Sequence, residues 1–222
     1  MASAAFFDLD GTLLTVNSAN LWVKRELRLG RIHYWQFLRA AMWLGFYRLG
    51  FLDMDRALTA ALSQLAGKDE ESIRRETQQW WREEVRPHIA PGARAVLKAH
   101  KEKGDLLVLL TSSSRYASEM AREEFGLDYV LFQGYEVRDG RFTGSPLRPL
   151  CYGPGKVEIA EAWAKENAID LAKSSFYSDS STDIPMLERV GSAYAVLPDP
   201  RLRRVAQKRG WPLLDWRAIA AS

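Results

Sequence analysis

The chain is short of several things, and each shortage removes a class of protein. Its 222 residues include a single cysteine, Cys151, so no internal disulfide can form. No segment is low in complexity and no repeat recurs, which argues against solenoids and linker arrays. There is no long uninterrupted apolar run. The most apolar stretch, Phe37 to Leu52, is broken by Arg39 and Arg48 and is too short to span a bilayer. The N-terminus, MASAAFFDLDG, meets Asp8 and Asp10 before a signal-peptide core could develop. A cytoplasmic location without a transmembrane segment is the expectation. Acid is scarce locally: between Val23 and Leu52 lie Lys24, Arg25, Arg28, Arg31, Arg39 and Arg48, with Glu26 the only carboxylate. Tyr34, Trp35, Phe37, Trp43, Phe46, Tyr47 and Phe51 are interleaved. Two readings stay open for this segment: an amphipathic helix pair with a solvated basic face, or a surface that meets an anionic partner.

What is present reads as an α/β protein. Ala4 to Phe7 is a short apolar strand ending at Asp8. From Ser18 to Arg86 apolar residues recur every three or four positions, the helical period, and Lys68-Asp69-Glu70-Glu71 opens one of these helices. Pro87 and Pro91-Gly92 then punctuate the chain. Beyond them strands and helices alternate. Ala93–Lys103 is a helix stopped by Gly104, Leu106–Leu110 a buried strand, and Arg115–Phe125 a helix ended by Gly126. Tyr129–Phe132 is a strand, and Tyr135–Phe142 a hairpin around Asp139-Gly140. Lys156–Asn167 is helical, Ser174–Ser178 a strand, Ile184–Val190 a helix, Ala193–Leu197 a strand and Pro200–Arg209 a last helix. Such alternation predicts a mostly parallel sheet. The division expected is a core of residues 1–16 and 87–222 and a helical insertion of 17–86, set over the sheet's C-terminal edge, where doubly wound sheets bind ligands.

Four clusters stand at strand ends or helix starts. In Asp8-Leu9-Asp10-Gly11-Thr12 the carboxylates can act as nucleophile and general acid/base and can hold a hard cation, while Gly11 lets the backbone turn close to a ligand. Thr111 and Ser112 follow the second strand; they either hold a phosphate oxygen or cap the next helix. Lys156, in Gly153-Pro154-Gly155-Lys156, sits at a helix N-terminus, where its charge opposes the dipole unless an anion is near. Asp179 and Asp183, in Asp179-Ser180-Ser181-Thr182-Asp183, again pair carboxylates across a strand end and a helix start.

In this order and spacing, the four clusters resemble the four motifs of the haloacid dehalogenase superfamily of phosphohydrolases. The helical insertion resembles the C1 cap of its phosphoserine-phosphatase-like branch, and the resemblance covers essentially the whole chain. It implies a Rossmann-like core with a parallel sheet, plus an all-helical cap inserted after the first strand. The activity implied is Mg²⁺-dependent hydrolysis of a small phosphate monoester through an aspartyl phosphate on Asp8. Asp10 would be the acid/base; Asp8, Asp179 and the Asp10 carbonyl would hold Mg²⁺. Thr111, Ser112 and Lys156 would hold the phosphate, with Gly11, Thr12 and Asp183 in support.

Departures from the branch bear on substrate. Asn17 stands where phosphoserine phosphatases carry a glutamate for the substrate ammonium, and Thr182 where they usually have asparagine. Asn17 therefore either faces the leaving group or caps the first cap helix. Histidinol phosphate or a related small phosphate is favoured over phosphoserine. Alternatives are a lipid or glycerolipid phosphate met at a membrane surface, transfer to another acceptor, and an idle binding protein on the same fold. No nucleic acid partner is expected.

Overall fold

The computed structural model describes residues 2–31 and 54–217. The basic, aromatic stretch from Tyr34 to Phe51, with Trp35, Arg39, Trp43 and Arg48, lies outside the described residues.

The core is a six-stranded parallel sheet in the order β3-β2-β1-β6-β7-β8. The strands are β1 (Ala4–Phe7), β2 (Leu106–Ser114), β3 (Tyr129–Gln133), β6 (Ser175–Ser178), β7 (Ser192–Val196) and β8 (Leu213–Leu214); β4 (Tyr135–Arg138) and β5 (Arg141–Pro146) form a separate antiparallel hairpin. Every residue of β1 is buried because both sheet faces are covered. Its side chains alternate: Ala5 and Phe7 enter one apolar cluster with Leu109, Trp81 and Tyr177, while Ala4 and Phe6 enter the other with Val108, Phe176 and Met186.

The chain leaves β1 for β2 and β3 on one side, then returns to β6, β7 and β8 on the other. The reversal falls between β1 and β6, which is the crevice where open α/β sheets bind ligands. Register makes the placement definite. Phe7 pairs with Leu109 and with Tyr177, so Asp8 comes level with Leu110 and Ser178. Asp179 is one residue further.

The inserted segment is helical where it is described: Ser18–Arg28, Met54–Leu62 and Glu70–Trp80, then a wide turn at Trp81–Val85 and a tight one at Arg86–His88. Asp69 caps the third of these helices by accepting from Ser72 N–H, as its sequence position predicts. This insertion is fastened to the hairpin through the backbone: Gly67 N–H donates to Phe142 O, Phe142 N–H to Lys68 O, and Glu70 N–H to Gly140 O. Arg74 adds an ion pair to Glu119 at 2.8 Å.

Two boundaries differ informatively from the sequence reading. The second strand runs on past Leu110 to Ser114, because Ser114 pairs with Gln133 beyond an irregularity in the β2–β3 register. The residue that caps the following helix is consequently Ser114, whose side chain accepts from Ala117 N–H, and not Thr111 or Ser112. The apolar segment after Gly210 is a sixth strand, β8, paired with β7.

Candidate active site

Asp8 follows the last residue of β1, and its N–H donates to Tyr177 O at 2.9 Å, which fixes it to the β6 side of the crevice. Lys156 is the third residue of the Pro154–Glu166 helix and is 2% exposed. Its ammonium donates to Asp8 Oδ1 at 2.9 Å and to Asp183 Oδ2 at 2.7 Å. Ser178 Oγ donates to the same Asp183 oxygen at 2.8 Å. A buried lysine is costly unless fully paired. Burial pulls the Lys156 ammonium down, but Asp183 and Asp8 more than reverse this and raise it above its ordinary value.

The carboxylates are not equally provided for. Burial, together with repulsion from Asp183, pushes Asp8 up to about 7 despite Lys156. Burial and repulsion from Asp8 and Asp183 push Asp179 up to about 8. Asp183 Oδ1 is buried with no hydrogen-bond partner. One lysine thus faces three carboxylates, and a further cation would relieve them.

Local geometry suits such a cation. Gly11 has φ +74°, and a Cβ there would overlap the Asp179 carboxylate. Only glycine lets that carboxylate lie against the backbone beside Asp10. Among the described residues no three His, Cys, Asp or Glu side chains converge as a complete metal cage. Asp8 and Asp179 would offer a cation carboxylate oxygens, the hard donor type that Mg²⁺ accepts.

Asp10 is held separately. Ser18 N–H donates to Oδ1 at 2.9 Å and Ser18 Oγ to Oδ2 at 3.0 Å, with Ser113 a further partner. Burial raises the Asp10 carboxyl, and the Ser18 bonds oppose the rise. Since Ser18 begins the first helix of the insertion, Asp10 is tied to that segment while Asp8 is tied to the core.

The remaining sequence candidates fall as follows. Thr111 is 1% exposed within β2, three residues before its end, where its Oγ1 accepts from Ser113 N–H. Ser112 Oγ donates to Cys151 O at 2.7 Å, so its hydroxyl is engaged by the loop leading to Lys156. Thr12 Oγ1 is buried without a partner. Asn17 is exposed, and its side chain accepts from Asn20 N–H at 3.1 Å, capping the Ser18–Arg28 helix. Thr182 bonds Ser180. Sequence reasoning did not single out Ser18, Ser178 or Asp199. Asp199 accepts from Ser181 N–H at 2.7 Å and donates its own N–H to Asp179 O at 2.8 Å, bracing the Asp179–Asp183 loop. Only Asp199 carries a sequence signal, an Asp-Pro helix start; isolated serines carry none. Surface concavities of about 260 and 500 Å³ lie elsewhere, beside Trp81 and Glu124 and beside Glu70, Tyr135 and Leu147. The buried lysine–carboxylate cluster marks the site better than either.

Carboxylates and a lysine thus converge at the switch point of a doubly wound α/β sheet. The chain belongs to the haloacid dehalogenase-like hydrolases, whose family model matches residues 5–188. It is 29% identical to a histidinol-phosphatase of Neisseria meningitidis serogroup C over 98% of this chain and all of that one. It is 30% identical to a phosphoserine phosphatase of Mycobacterium tuberculosis over 98% of this chain and 72% of that one. Among solved structures, a protein of unknown function from Bordetella pertussis superposes with a TM-score of 0.88 at 31% identity, covering 97% of this chain and 99% of that one. The enzyme is a phosphatase of this family. No helix among the described residues is long and apolar enough to cross a membrane.

Proposed function

We propose that the enzyme hydrolyses a small phosphate monoester in two steps through an aspartyl phosphate on Asp8. The observation that carries this reading is the buried Lys156 ammonium shared between Asp8 and Asp183. In the first step an Asp8 carboxylate oxygen attacks phosphorus, and the bond from phosphorus to the ester oxygen breaks. Asp10 gives its proton to that oxygen, and the alcohol departs. In the second step Asp10 takes a proton from water as the water oxygen attacks phosphorus. The bond to Asp8 breaks, releasing inorganic phosphate and restoring both carboxyl groups. A raised Asp10 suits a group that must be protonated at one stage and ionised at the next.

Lys156 and Thr111, with the backbone N–H of Ser112, hold the phosphoryl oxygens, where charge stabilisation supplies much of the catalysis. Asp183 keeps Lys156 in place. Asp8, Asp179 and the Asp10 carbonyl would hold Mg²⁺, which when bound offsets the repulsion between the Asp8 carboxylate and a phosphate dianion.

For substrate we favour histidinol phosphate or a related small phosphate over phosphoserine. The histidinol-phosphatase relative aligns over its whole length, whereas the phosphoserine phosphatase relative is matched over 72% of its own. The test is phosphate release by purified protein with and without Mg²⁺ from histidinol phosphate, phosphoserine and glycerol phosphate. Hydrolysis of none of them, or equal hydrolysis after exhaustive chelation, defeats the reading. A strong preference for phosphoserine defeats the substrate assignment alone.

A further inference from the structure

We infer that Gln133, which touches none of the reacting groups, is a positioning residue that sets the location of Lys156. The inference rests on reading Lys156 as the holder of the phosphoryl oxygens.

Gln133 ends β3 and is 2% exposed. Its amide nitrogen donates to Gly134 O at 2.9 Å and to Leu147 O at 3.0 Å, and its amide oxygen accepts from Cys151 N–H at 2.8 Å. One buried side chain therefore satisfies three backbone groups across a connection of 18 residues. Only a carboxamide has two donors and an acceptor on one planar end. An aliphatic side chain of similar size would remove the partners of Cys151 N–H and Leu147 O, while Gly134 O would keep its bond from Leu147 N–H; a carboxylate would face two carbonyl oxygens.

The other side of the Cys151 residue is held as well, since Ser112 Oγ donates to Cys151 O. Cys151 is thus gripped from the end of β3 through its N–H and from the C-terminal part of β2 through its carbonyl. From there to Lys156 the chain has little freedom. Tyr152 N–H bonds Leu150 O at 2.7 Å, Gly155 N–H bonds Tyr152 O at 3.0 Å, and Lys156 N–H bonds Gly153 O at 3.1 Å. Gly155 lies so close to Leu150 O that a Cβ would overlap it. A displacement at Cys151 is consequently passed along to Lys156, which must reach Asp8 and Asp183 at once. The competing account is that Gln133 only satisfies a buried turn, adding stability and nothing else.

The experiment uses full-length protein with Mg²⁺, p-nitrophenyl phosphate as substrate and orthovanadate as a mimic of the transferred phosphoryl group. Four variants are compared below their melting temperatures: Gln133→Met, Gln133→Glu, Ser174→Ala and Lys156→Met. Ser174 is a matched control, because its buried Oγ also ties backbone together, accepting from Ala4 N–H and donating to Asp170 O. Gln133→Met should lower kcat/KM and weaken orthovanadate inhibition, each by roughly tenfold to a hundredfold, as small misplacements in active sites do. Ser174→Ala should lower Tm and leave both constants unchanged.

Gln133→Glu keeps the acceptor for Cys151 N–H, and its carboxyl can donate to a carbonyl only when protonated. Its kcat/KM relative to wild type should therefore rise as pH falls. This second variant decides the matter if Gln133→Met does not fold. Wild-type kcat/KM and orthovanadate inhibition in a folded Gln133→Met protein overturn the inference, as does a Gln133→Glu protein equal to wild type at every pH. Undiminished orthovanadate inhibition in Lys156→Met would instead sink the reading of Lys156. Its loss there, with inhibition kept in the Gln133 variants, would sink only the positioning role.

Discussion

Two buried polar clusters occupy opposite faces of the sheet, and they are solved differently. On the Phe7 face, His100 Nδ1 meets Asp105 at 2.7 Å and Nε2 meets the Tyr177 hydroxyl at 2.8 Å, with Ser3 completing Asp105. Tyr177 is stacked between Phe7 and Tyr194 at 5.0 and 4.4 Å. Burial alone would raise Asp105, yet its hydrogen bonds from His100 and Ser3 hold it below its ordinary value. On the Phe176 face, Lys156 serves Asp8 and Asp183 while Asp179 is left crowded and Asp183 Oδ1 unpaired. Both clusters are buried and both use carboxylates. What separates them is completion: a structural network is closed by the protein's own groups, and a site is left open toward something else.

The sharpest way to break this contrast is to remove the proposed nucleophile. Asp8→Asn should lower kcat by about 10⁴-fold or more, the scale seen when a nucleophile is deleted. Its Tm should hold or rise, because the lost charge was repelled by Asp183 and penalised by burial. Substantial turnover by a purified Asp8→Asn protein, with no phosphate found on Asp8 of the trapped wild type by mass spectrometry, would end the mechanism.

Metal removal and pH test the same incompleteness from the stability side. In metal-free protein Asp8 and Asp179 are raised from 3.8 to about 7 and about 8. Between pH 4 and 8 the folded state therefore holds protons that the unfolded chain has released, and stability falls as pH rises through that window. Scanning Tm against pH should show this decline, and Mg²⁺ should reverse it, with its increment growing toward pH 8. Asp179→Asn should flatten the decline and remove most of the Mg²⁺ increment. A Mg²⁺ increment independent of pH would mean that these carboxylates do not receive the ion.

The closed cluster should respond in the opposite way. Tyr177→Phe leaves His100 Nε2 buried without its partner and should cost about 1–3 kcal/mol. Its kcat, measured per folded molecule, should stay at the wild-type value. A fall in kcat without a fall in Tm would show that the two faces are coupled.

How far each face was legible in the sequence follows from the same physics. The open site announces itself, because charged residues at strand tips oppose local preference: Asp8 and Asp10 stop an apolar strand, and Lys156 opposes a helix dipole. The sheet was equally legible, since a short apolar run such as Leu106–Leu110, following Gly104, fits a strand buried on both faces. The long reach of β2 to Ser114 was not, because Ser112, Ser113 and Ser114 carry no strand signal and the pairing with Gln133 is tertiary. The His100 network was also invisible. Ser3, His100, Asp105 and Tyr177 are ordinary residues until the fold brings them together across as many as 102 positions of chain. The hydroxyls of Ser18 and Ser178 escape notice for the same reason.

The smallest effect concerns Asn17, where sequence left two readings and the geometry separates them. A residue that reads the leaving group must turn its polar end toward the crevice. Asn17 is exposed, and its Oδ1 is committed to Asn20 N–H at the start of the Ser18–Arg28 helix. The next residue, Ser18, turns inward to Asp10 instead. Position 17 is then a cap that fixes where Ser18 begins, and its influence on chemistry is indirect. Asn17→Ala should cost about 0.5–2 kcal/mol of stability, the usual value of an N-cap. Asn17→Asp should be neutral or stabilising, since a carboxylate caps equally well and favours the helix N-terminus. Neither should reorder histidinol phosphate, phosphoserine and glycerol phosphate as substrates. Asn17→Glu is the discriminating change: its longer side chain is a poor cap, so it should behave like Asn17→Ala in a thermal melt. If it instead shifts preference toward phosphoserine while Tm holds, the side chain at this position does face the leaving group, and the absence of a carboxylate there is a determinant of specificity.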